Sequence, residues 1–306
     1  MKPLVSVIIP TYHRYDTLPR AVESVLKQNY DNIEIIVVDD NDPLSEYRTE
    51  TEKVMDNYIS HHNVKYIKHE KNKNGSAARN TGFKNSKGDY IMFLDDDDEF
   101  LENKISSQVD CLESKDETWG FCYTGTIRKR GDEVVARTTE KQEGNILKDA
   151  LARDTWVFGG SNFMVRRNVF EEVGGFDESF KRNQDEEFLV KVMKKYKLAY
   201  VDIYGLCVYL GSANRKKTSL EDINNHYINT FKDQINQLTD TEQREVYQKL
   251  NLQLYRDYLQ RKQIMKALRM IVKRDFSFVD SVSYIFYLID RRLKKEDRCY
   301  KIKHLV

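Results

Sequence analysis

Several features are scarce in this sequence, and each scarcity excludes a class of protein. Only four of the 306 residues are prolines, and none follows Pro43. The four cysteines (Cys111, Cys122, Cys207 and Cys299) form no CxxC pair and show no metal-like spacing. We therefore expect reduced thiols that pack as small hydrophobic side chains, with neither a disulfide framework nor a thiolate metal site.

Long apolar runs and an excess of one charge are also missing. No stretch of about 18 apolar residues occurs, so we expect no segment to span a membrane. The apolar start, LVSVIIP, is too short for a signal peptide and is typical of a strand, which predicts a cytoplasmic protein. The 50 Lys and Arg residues are matched by 49 Asp and Glu residues. The resulting net charge of +1 gives no reason to expect a nucleic acid partner.

The first hundred residues alternate between strand-like and helix-like patterns. The apolar runs are VSVIIP, IEIIVVDD, VKYIKH and YIMFLDD, and between them lie LPRAVESVLKQ, TETEKVMDNYIS and GSAARNTGFKNS. This alternation predicts an α/β fold with a mostly parallel sheet that helices cover on both faces. Ligands bind such sheets outside the carboxyl ends of the strands. Thr11 and Tyr12, Asp39 and Asp40, and the run Asp95–Asp98 should therefore meet at one edge.

The pattern changes after residue 100. A helix, a hairpin and further short elements make a mixed second half, and strand signals end after about residue 220. A helical segment then begins with a capping-box pattern, Thr239 with Glu242. We predict one domain over residues 1–218, with halves 1–100 and 101–218, and a C-terminal helical region over residues 219–306.

One strand-like run leads directly into four aspartates, Asp95–Asp98. Adjacent like charges repel, and a cation relieves that repulsion. Alternate residues of a strand face the same way, so Asp95 and Asp97 should point to one side and Asp96 to the other. Carboxylate oxygens suit Mg²⁺ or Mn²⁺, which can in turn bind a diphosphate. The alternative interpretation is a solvated acidic loop.

Two further strand ends carry candidate ligands. Asp39 and Asp40 end IEIIVVDD, a position at which carboxylates often accept hydrogen bonds from a ribose or a base. The following DDNDP is equally typical of a turn. In NKNGSAARNTG, a helix N-terminus and Arg79 together offer an anion site. The alternative there is an ordinary helix start with an exposed arginine.

Taken in order, six segments resemble the motifs of the family 2 glycosyltransferases with the GT-A fold: VSVIIPTY, IEIIVVDDND, NGSAARNTG, YIMFLDDDDEF, GGFDESF and NQDEEFLVKV. The resemblance covers about residues 3–215. It implies an inverting transfer of a sugar from a nucleotide-diphosphate donor, commonly a UDP-sugar, with Mn²⁺ or Mg²⁺ as cofactor. The first half of the larger domain would then bind the nucleotide and the second half the acceptor, with a C-terminal helical extension.

The resemblance also implies roles for matching positions. The donor-binding positions would be Pro10, Thr11, Tyr12, Asp39, Asp40, Arg79, Asp95 and Asp96. Asp95 and Asp97 would hold the metal, with Asp97 as the more direct ligand. Asp185 would be the catalytic base, although Gln184 stands where the family has Glu. Many members carry a histidine after the last core strand. YLGSANRKKTS has none, so its basic residues (Arg215, Lys216 or Lys217) would supply positive charge instead.

Helical spacing also singles out Asp185. It shares a helix face with Phe188 and Leu189, whereas Glu186 and Glu187 should point outward. A carboxylate in the first turn lies at the positive end of the helix dipole, which favours ionisation, while burial raises its pKa. A carboxylate balanced in this way suits a general base. The alternative is a helix N-cap aspartate.

The acceptor and two rival functions stay open. A surface polysaccharide, a lipid-linked glycan or a glycoprotein fits the resemblance, and Trp156 and Phe158 either frame the acceptor or belong to the core. A sugar nucleotidylyltransferase would share the sheet and the metal, but it needs a glycine-rich loop where PTYHRYDT has no glycine. A non-catalytic phospho-receiver-like module would begin at its acidic strand and end long before residue 215.

The C-terminal helices are rich in tyrosine and lead into RRLKKEDRCYKIK, which has seven basic and two acidic residues. Three interpretations stay open for this region. The first is a peripheral contact at the inner face of the membrane. The second is a homo-oligomer formed through these helices. The third is a helical pair that packs on the first domain.

Overall fold

The computed structural model describes residues 2–180, 182–211, 219–273 and 275–305, and the chain divides into two compact units. Unit 1 comprises Met1–Arg137, Lys141–Asn145 and Val157–Leu210. Unit 2 comprises Thr138–Glu140, Ile146–Trp156 and Gly211–Val306. Two short segments therefore group with the C-terminal residues, although they lie far from them in the sequence. No sequence periodicity indicated this grouping.

The strands of unit 1 begin with the four apolar runs that the sequence predicted. In chain order they are β1 (Val5–Thr11), β2 (Ile33–Asp39), β3 (Val64–Lys68), β4 (Tyr90–Phe93), β5 (Glu99–Phe100), β6 (Trp119–Arg130), β7 (Glu133–Thr138), β8 (Met164–Arg166) and β9 (Lys197–Tyr209). The helices of this part of the chain, including the short α5 of unit 2, are α1 (Leu18–Leu26), α2 (Glu46–Met55), α3 (Gly75–Lys84), α4 (Lys104–Glu113), α5 (Leu147–Leu151), α6 (Gly159–Asn162), α7 (Arg167–Glu172) and α8 (Gln184–Met193).

The sheet of unit 1 has the order β7-β6-β8-β4-β1-β2-β3. Strands β4, β1, β2 and β3 pair in parallel, as the alternating sequence predicted. Strand β8 joins β4 and β6 antiparallel, and β9 pairs with β6 in parallel and with β5 antiparallel. The predicted α/β fold class is confirmed. Every residue of β2 is buried, as expected for a central strand with helices on both faces.

The register of the parallel strands sets the position of the candidate site. Thr11 lies opposite Asp39 at the carboxyl ends of β1 and β2. The N–H of Leu94, just after β4, donates to the carbonyl of Ile8 in β1. The polar residues that follow these three strands are therefore brought to one edge of the sheet.

Unit 2 is helical in its C-terminal part. Its elements after residue 218 are α9 (Leu220–Thr230), α10 (Lys232–Asn236), α11 (Asp240–Gln260), α12 (Ile264–Val272), α13 (Phe278–Lys294) and the short strand β10 (Glu296–Asp297). The predicted capping box of Thr239 and Glu242 is confirmed at the start of α11. A cluster that includes Tyr255, Met270 and Tyr284 forms the core between α11, α12 and α13. Among the described helices, none combines the length and hydropathy that crossing a bilayer requires.

Candidate functional site

The four aspartates after β4 lie in a turn. Strand β4 ends at Phe93, and the N–H of Asp98 donates to the carbonyl of Asp95 at 3.0 Å. Strand alternation does not orient these side chains, because the chain has left the sheet, although Asp95 and Asp97 do lie together and apart from Asp96 as predicted. The turn brings a carboxylate oxygen from each of Asp95, Asp97 and Asp98 within 4.8 Å of one another. Asp96 is directed elsewhere and accepts a hydrogen bond from the N–H of Tyr12 at 3.1 Å.

The third carboxylate of this cluster was missed in the sequence. Strand alternation selects Asp95 and Asp97, whereas a turn at Asp96–Asp97 folds Asp98 back towards Asp95. The run DDDD itself could have indicated this turn, because aspartate is common in turns and rare in strands. Three hard oxygen ligands form a donor set that fits Mg²⁺ or Mn²⁺.

Two arginines contact the cluster from different elements. Arg14, three residues after β1, forms an ion pair with Asp97 and lies 3.7 Å from Asp96. Arg79 on α3 forms an ion pair with Asp95. Sequence reasoning identified Arg79 but missed Arg14, because a lone arginine in a loop has no distinguishing pattern. The side chains of Asp95 and Asp97 are nevertheless 38% and 26% exposed, so both stay accessible to a ligand.

The segment of α6 packs directly against the aspartate turn. The hydroxyl of Ser161 accepts from the N–H of Asp95 at 3.0 Å and donates to Asp98 at 2.7 Å. A Cβ added at Gly160 would lie 3.1 Å from a carboxylate oxygen of Asp95, so the close approach favours glycine. The GGSN segment thus positions the aspartates.

Beneath α6, the structure buries a lysine. Lys104 is fully buried on α4, and its Nζ lies 2.7 Å from Oδ1 of Asn162 and 3.2 Å from the hydroxyl of Thr124. Burial lowers the pKa of Lys104 to about 7. This ammonium group is solvated by neutral oxygens, which stabilise its charge less than a carboxylate would.

Burial also raises the pKa values of two carboxylates in the turn. It raises the pKa of Asp96 to about 7, against the opposing effect of Arg14. It raises the pKa of Asp98 to about 7 as well, and the charge of Asp95 adds to this effect. A divalent cation at the cluster would favour the ionised forms and reverse this direction.

Asp185 lines the same cavity as this cluster. The cavity has a volume of about 230 Å³, and its lining residues are Arg79, Asp95, Asp98, Phe158, Gly160, Ser161, Asn183, Gln184, Asp185 and Val208. Burial raises the pKa of Asp185, Arg79 lowers it, and Asp95 raises it further. The side-chain oxygen of Gln184 accepts from Arg79 at 3.2 Å. The structure therefore brings the predicted base together with Asp95, a predicted metal ligand, and with Asp98, which the sequence analysis did not select.

The first turn of α8 differs from the sequence interpretation at two residues. Asn183, at φ +61°, is the N-cap of α8, so Asp185 lies inside the first turn and the N-cap alternative is wrong. The prediction that Glu187 points outward is also wrong. Glu187 is 2% exposed, pairs with Lys191 at 3.1 Å and accepts from the N–H of Asp177 at 3.2 Å. It is buried because it fastens the preceding loop to the helix.

The two aspartates after β2 have partners from within the chain. Oδ2 of Asp39 lies 2.9 Å from Nε of Arg48 and accepts from the hydroxyl of Tyr66, while Oδ1 accepts from the N–H and the side chain of Asn41. Asp39 is fully buried. Its carboxylate is therefore already satisfied, and a contact with a nucleobase stays a prediction.

Asp40 is satisfied in a similar way by the loop before α3. Its carboxylate accepts from the N–H groups of Lys73 and Asn74 at 2.8 and 2.9 Å and from the side chain of Asn72 at 2.9 Å. The ring of His69 lies 2.7 Å away. Asp40 thus fixes the loop that leads to Arg79, and a direct role in donor binding stays a prediction here too.

The remaining predicted nucleoside residues lie at the end of β1. Pro10 is partly buried and Thr11 is buried, whereas Tyr12 is 41% exposed. The rings of Tyr12 and His13 stack at 3.8 Å between centroids, and His13 stacks on Tyr47 at 3.9 Å. The stack lies beside the aspartate turn, since the N–H of Tyr12 contacts Asp96, and the two tyrosines at its ends are 41% and 40% exposed.

Other predicted residues lie elsewhere. Phe158 lines the cavity in unit 1. Trp156 belongs to unit 2, where the guanidinium of Arg291 lies 4.2 Å from its ring centroid. The predicted basic residues Arg215, Lys216 and Lys217 lie outside the residues that the structure describes.

Known proteins that are similar to this chain include several glycosyltransferases. The family described as Glycosyl transferase family 2 matches residues 6–174, which is more than half of the chain. An uncharacterized glycosyltransferase of Rickettsia felis is 32% identical over 198 residues, 63% of this chain and 32% of the relative. The GalNAc(5)-diNAcBac-PP-undecaprenol beta-1,3-glucosyltransferase of Campylobacter jejuni is 31% identical over 188 residues, 60% of this chain and 57% of the relative.

Solved structures agree on the fold. The S. aureus TarS 1-349 structure in complex with UDP-GlcNAc has a TM-score of 0.64 and 19% identity, and the match covers 83% of this chain and 72% of that one. The TarS complex with UDP has a TM-score of 0.59 with the same coverage. The first three curated relatives are matched over only 28% to 63% of their own lengths.

Proposed function

Because the chain belongs to glycosyl transferase family 2, we propose that it moves a sugar from a nucleotide-diphosphate donor to an acceptor hydroxyl with inversion at the anomeric carbon. One observation carries this proposal. The predicted base, Asp185, lines the same cavity as Asp95 and Asp98, which belong to the carboxylate cluster. A base and a diphosphate site must lie on opposite sides of one sugar for an inverting displacement, so a shared cavity is the arrangement that this reaction needs.

The carboxylate cluster is the proposed metal site. Asp95, Asp97 and Asp98 would hold Mg²⁺ or Mn²⁺, because their oxygens lie close together and are hard ligands. When bound, the ion would supply positive charge to the diphosphate that leaves. Arg14 and Arg79 already contact the cluster, so they can turn towards the same phosphates once a metal balances the carboxylates.

Asp185 is the proposed general base. Its carboxylate accepts the proton of the acceptor hydroxyl while that oxygen forms a bond to the anomeric carbon. The bond between this carbon and the diphosphate oxygen breaks, and the electron pair leaves with the nucleoside diphosphate. Burial, which raises the pKa of Asp185, makes its carboxylate a stronger base than an exposed aspartate. Arg79 opposes the shift and favours the ionised form of the group.

The donor and acceptor classes are proposed from the relatives. TarS was solved with UDP-GlcNAc, and the Campylobacter relative is named for a sugar acceptor linked to undecaprenol diphosphate. We therefore propose a UDP-sugar donor and a glycan or lipid-linked acceptor, used in the cytoplasm. The exposed ring of Tyr12 is the proposed platform for the uracil base, because aromatic faces stack on bases.

A single substitution tests the assignment of the base. We expect Asp185→Asn to lower turnover by about 10²–10⁴-fold, the usual contribution of a general base. UDP affinity in the presence of Mn²⁺ should stay within about twofold, because the carboxylate cluster is intact. The assay is the release of UDP from a panel of UDP-sugars with Mn²⁺ or Mg²⁺, with water or an added glycan as acceptor. Calorimetry with UDP and Mn²⁺ gives the affinity.

Asp202→Asn is the matched control. Asp202 is an aspartate of unit 1 with a side chain that is 72% exposed, and it pairs with Lys141 on the surface. Its variant should behave like the unmodified protein in both assays. An equal loss of UDP affinity in Asp185→Asn would defeat the assignment of the base. Formation of pyrophosphate from a sugar 1-phosphate and UTP would instead support a nucleotidylyltransferase.

A further inference from the structure

Helix α13 in unit 2 carries apolar side chains on two opposite faces. One face packs on the core of the unit through Tyr284, with Ile285 and Leu288 partly buried beside it. The opposite face exposes a stripe spaced three and four residues apart, which consists of Val279, Val282, Phe286, Ile289 and Leu293. These side chains are 37% to 78% exposed. An apolar stripe away from the core is not needed for folding of the unit and indicates a further contact.

Helix α12 repeats this arrangement. Ala267 and Met270 are buried against the same core, whereas the outer face exposes Ile264, Met265, Leu268 and Val272 by 49% to 81%. Ten of the 16 exposed large hydrophobic residues in the described chain lie on these two helices, Phe278 at the start of α13 among them. We name the outer faces of α12 and α13 together the α12–α13 apolar surface.

The charges around the α12–α13 apolar surface are mainly positive. Residues 261–295 contain ten Lys and Arg and three Asp, in a chain whose net charge is only +1. Two of the three aspartates are occupied by other groups. Asp280 is fully buried and accepts from Ser277 and from the N–H of Lys303, and Asp290 pairs with Arg298 and Lys294. Lys266 pairs with Glu221 and Arg291 lies 3.8 Å from Asp297, but residues 261–295 together with these two acidic partners still contain ten basic and five acidic residues. The segment that carries and borders the apolar surface is therefore cationic.

We propose that the α12–α13 apolar surface docks unit 2 onto a lipid bilayer that carries anionic headgroups. Phenylalanine, leucine, isoleucine and valine side chains would enter the boundary between headgroups and acyl chains, while the flanking Lys and Arg contact phosphate groups. The helices would lie in the plane of the interface, since the last turns of α13 carry Asp290, Arg291, Arg292 and Lys294.

The charge distribution favours a bilayer over a second copy of the chain. In a twofold dimer the same surface meets itself, so the cationic borders of the two copies would face each other. Like charges across such an interface oppose association. An anionic bilayer complements both the apolar face and its border, and such docking is independent of the proposed reaction.

Flotation with lipid vesicles tests the proposal on the full chain. We expect binding to phosphatidylcholine vesicles that contain about 30% phosphatidylglycerol, and at least tenfold weaker binding to phosphatidylcholine alone, because each basic residue near an anionic surface contributes about 1 kcal/mol. The double variant Phe286→Ser/Leu293→Ser should bind anionic vesicles at least about tenfold more weakly, because two exposed apolar side chains no longer insert. Both residues are largely exposed, so the fold should persist.

Leu44→Ser is the matched control, since Leu44 in unit 1 is 99% exposed and lies outside the proposed surface. Its binding to anionic vesicles should equal that of the unmodified chain. Absence of flotation with anionic vesicles, or equal flotation of the double variant, would overturn the proposal. The proposal would also be overturned if light scattering shows a dimer of the unmodified chain, the double variant is monomeric, and neither protein binds vesicles. Equal binding to neutral vesicles would refute the role of anionic headgroups.

Discussion

Two acidic strand ends in unit 1 look alike in sequence and differ in structure. IEIIVVDD and YIMFLDD both place aspartates after an apolar run, and both runs become central parallel strands. After β2, the carboxylates of Asp39 and Asp40 are 0% and 3% exposed and satisfied by the chain itself. After β4, Asp95 and Asp97 keep about a third of their side-chain surface exposed and crowd a third carboxylate, Asp98.

The difference shows what separates a structural aspartate from a ligand-binding one. Asp39 receives its countercharge from Arg48, a residue that is itself buried, so the pair is complete without a ligand. The cluster after β4 has two arginines, Arg14 and the buried Arg79, against three carboxylates whose oxygens lie within 4.8 Å of one another. Like charges held this close are destabilising unless a cation joins them. We therefore expect a bound cation to stabilise the cluster after β4, whereas the aspartates after β2 need no ligand.

Among the changes that separate the two acidic strand ends, the largest expected effect is on activity, from Asp97→Asn. This change removes a proposed metal ligand, and we expect turnover to fall by about 10²–10³-fold, as for the loss of other groups that stabilise a leaving charge. The enhancement of UDP affinity by Mn²⁺ should disappear in calorimetry. The free energy of unfolding should change by less than about 1 kcal/mol, because the ion pair of Asp97 with Arg14 is partly exposed and such pairs contribute little. A large loss of stability instead would make Asp97 structural, like Asp39.

The opposite result is expected for Asp39→Asn. This change leaves the buried guanidinium of Arg48 without its carboxylate, and breaking a buried ion pair costs about 3–5 kcal/mol. We expect the free energy of unfolding in urea to fall by about 3 kcal/mol, with UDP affinity per folded molecule little changed. Asp42→Asn, at an exposed position in the same loop, is the control and should be neutral. Normal stability with lost UDP affinity would restore the predicted contact of Asp39 with the base.

Sequence patterns were sufficient for the fold because the strands and helices of unit 1 are set by local periodicity. Continuous apolar runs such as β2 are buried on both faces, and parallel pairing then brings their carboxyl ends to one edge. The position of Asp185 near that edge also agrees with its helical spacing relative to Phe188. These inferences needed only residues a few positions apart.

The partners of the acidic residues could not be predicted because they come from distant elements. Arg48 on α2 and His69 after β3 complete the two aspartates after β2, and neither stands in a recognisable motif with them. Ser161, which links Asp95 to Asp98, is more than 60 residues away in the chain. Local spacing predicts the face of a helix or strand on which a side chain lies. It does not predict which charged residue from a distant element contacts that side chain.

The smallest expected effect is on the pH dependence of the free energy of unfolding. It concerns Lys104, whose surroundings differ from those of Asp39 and of the aspartate cluster. Asp39 has one countercharge, Arg48, and the three carboxylates of the aspartate cluster share two, Arg14 and Arg79. Lys104 contacts neutral oxygens of Asn162 and Thr124, and among the described residues no carboxylate lies within ion-pair distance of it. Its pKa of about 7 lies below the usual value of 10.5, so between these values the unfolded chain binds more protons than the folded one. The free energy of unfolding should therefore rise with pH.

Between pH 7.5 and 9.5 this rise should approach about 1 kcal/mol per pH unit, since one proton corresponds to at most 1.4 kcal/mol per unit. Urea unfolding at several pH values measures it, and Lys104→Met should remove this part of the slope because it removes the titrating ammonium group. Lys53→Met is the control, because Lys53 is an exposed lysine on α2 with a pKa that Glu50 raises. Equal slopes in Lys104→Met and the unmodified chain would mean that Lys104 gains solvation or a countercharge on folding, and the distinction from Asp39 would then disappear.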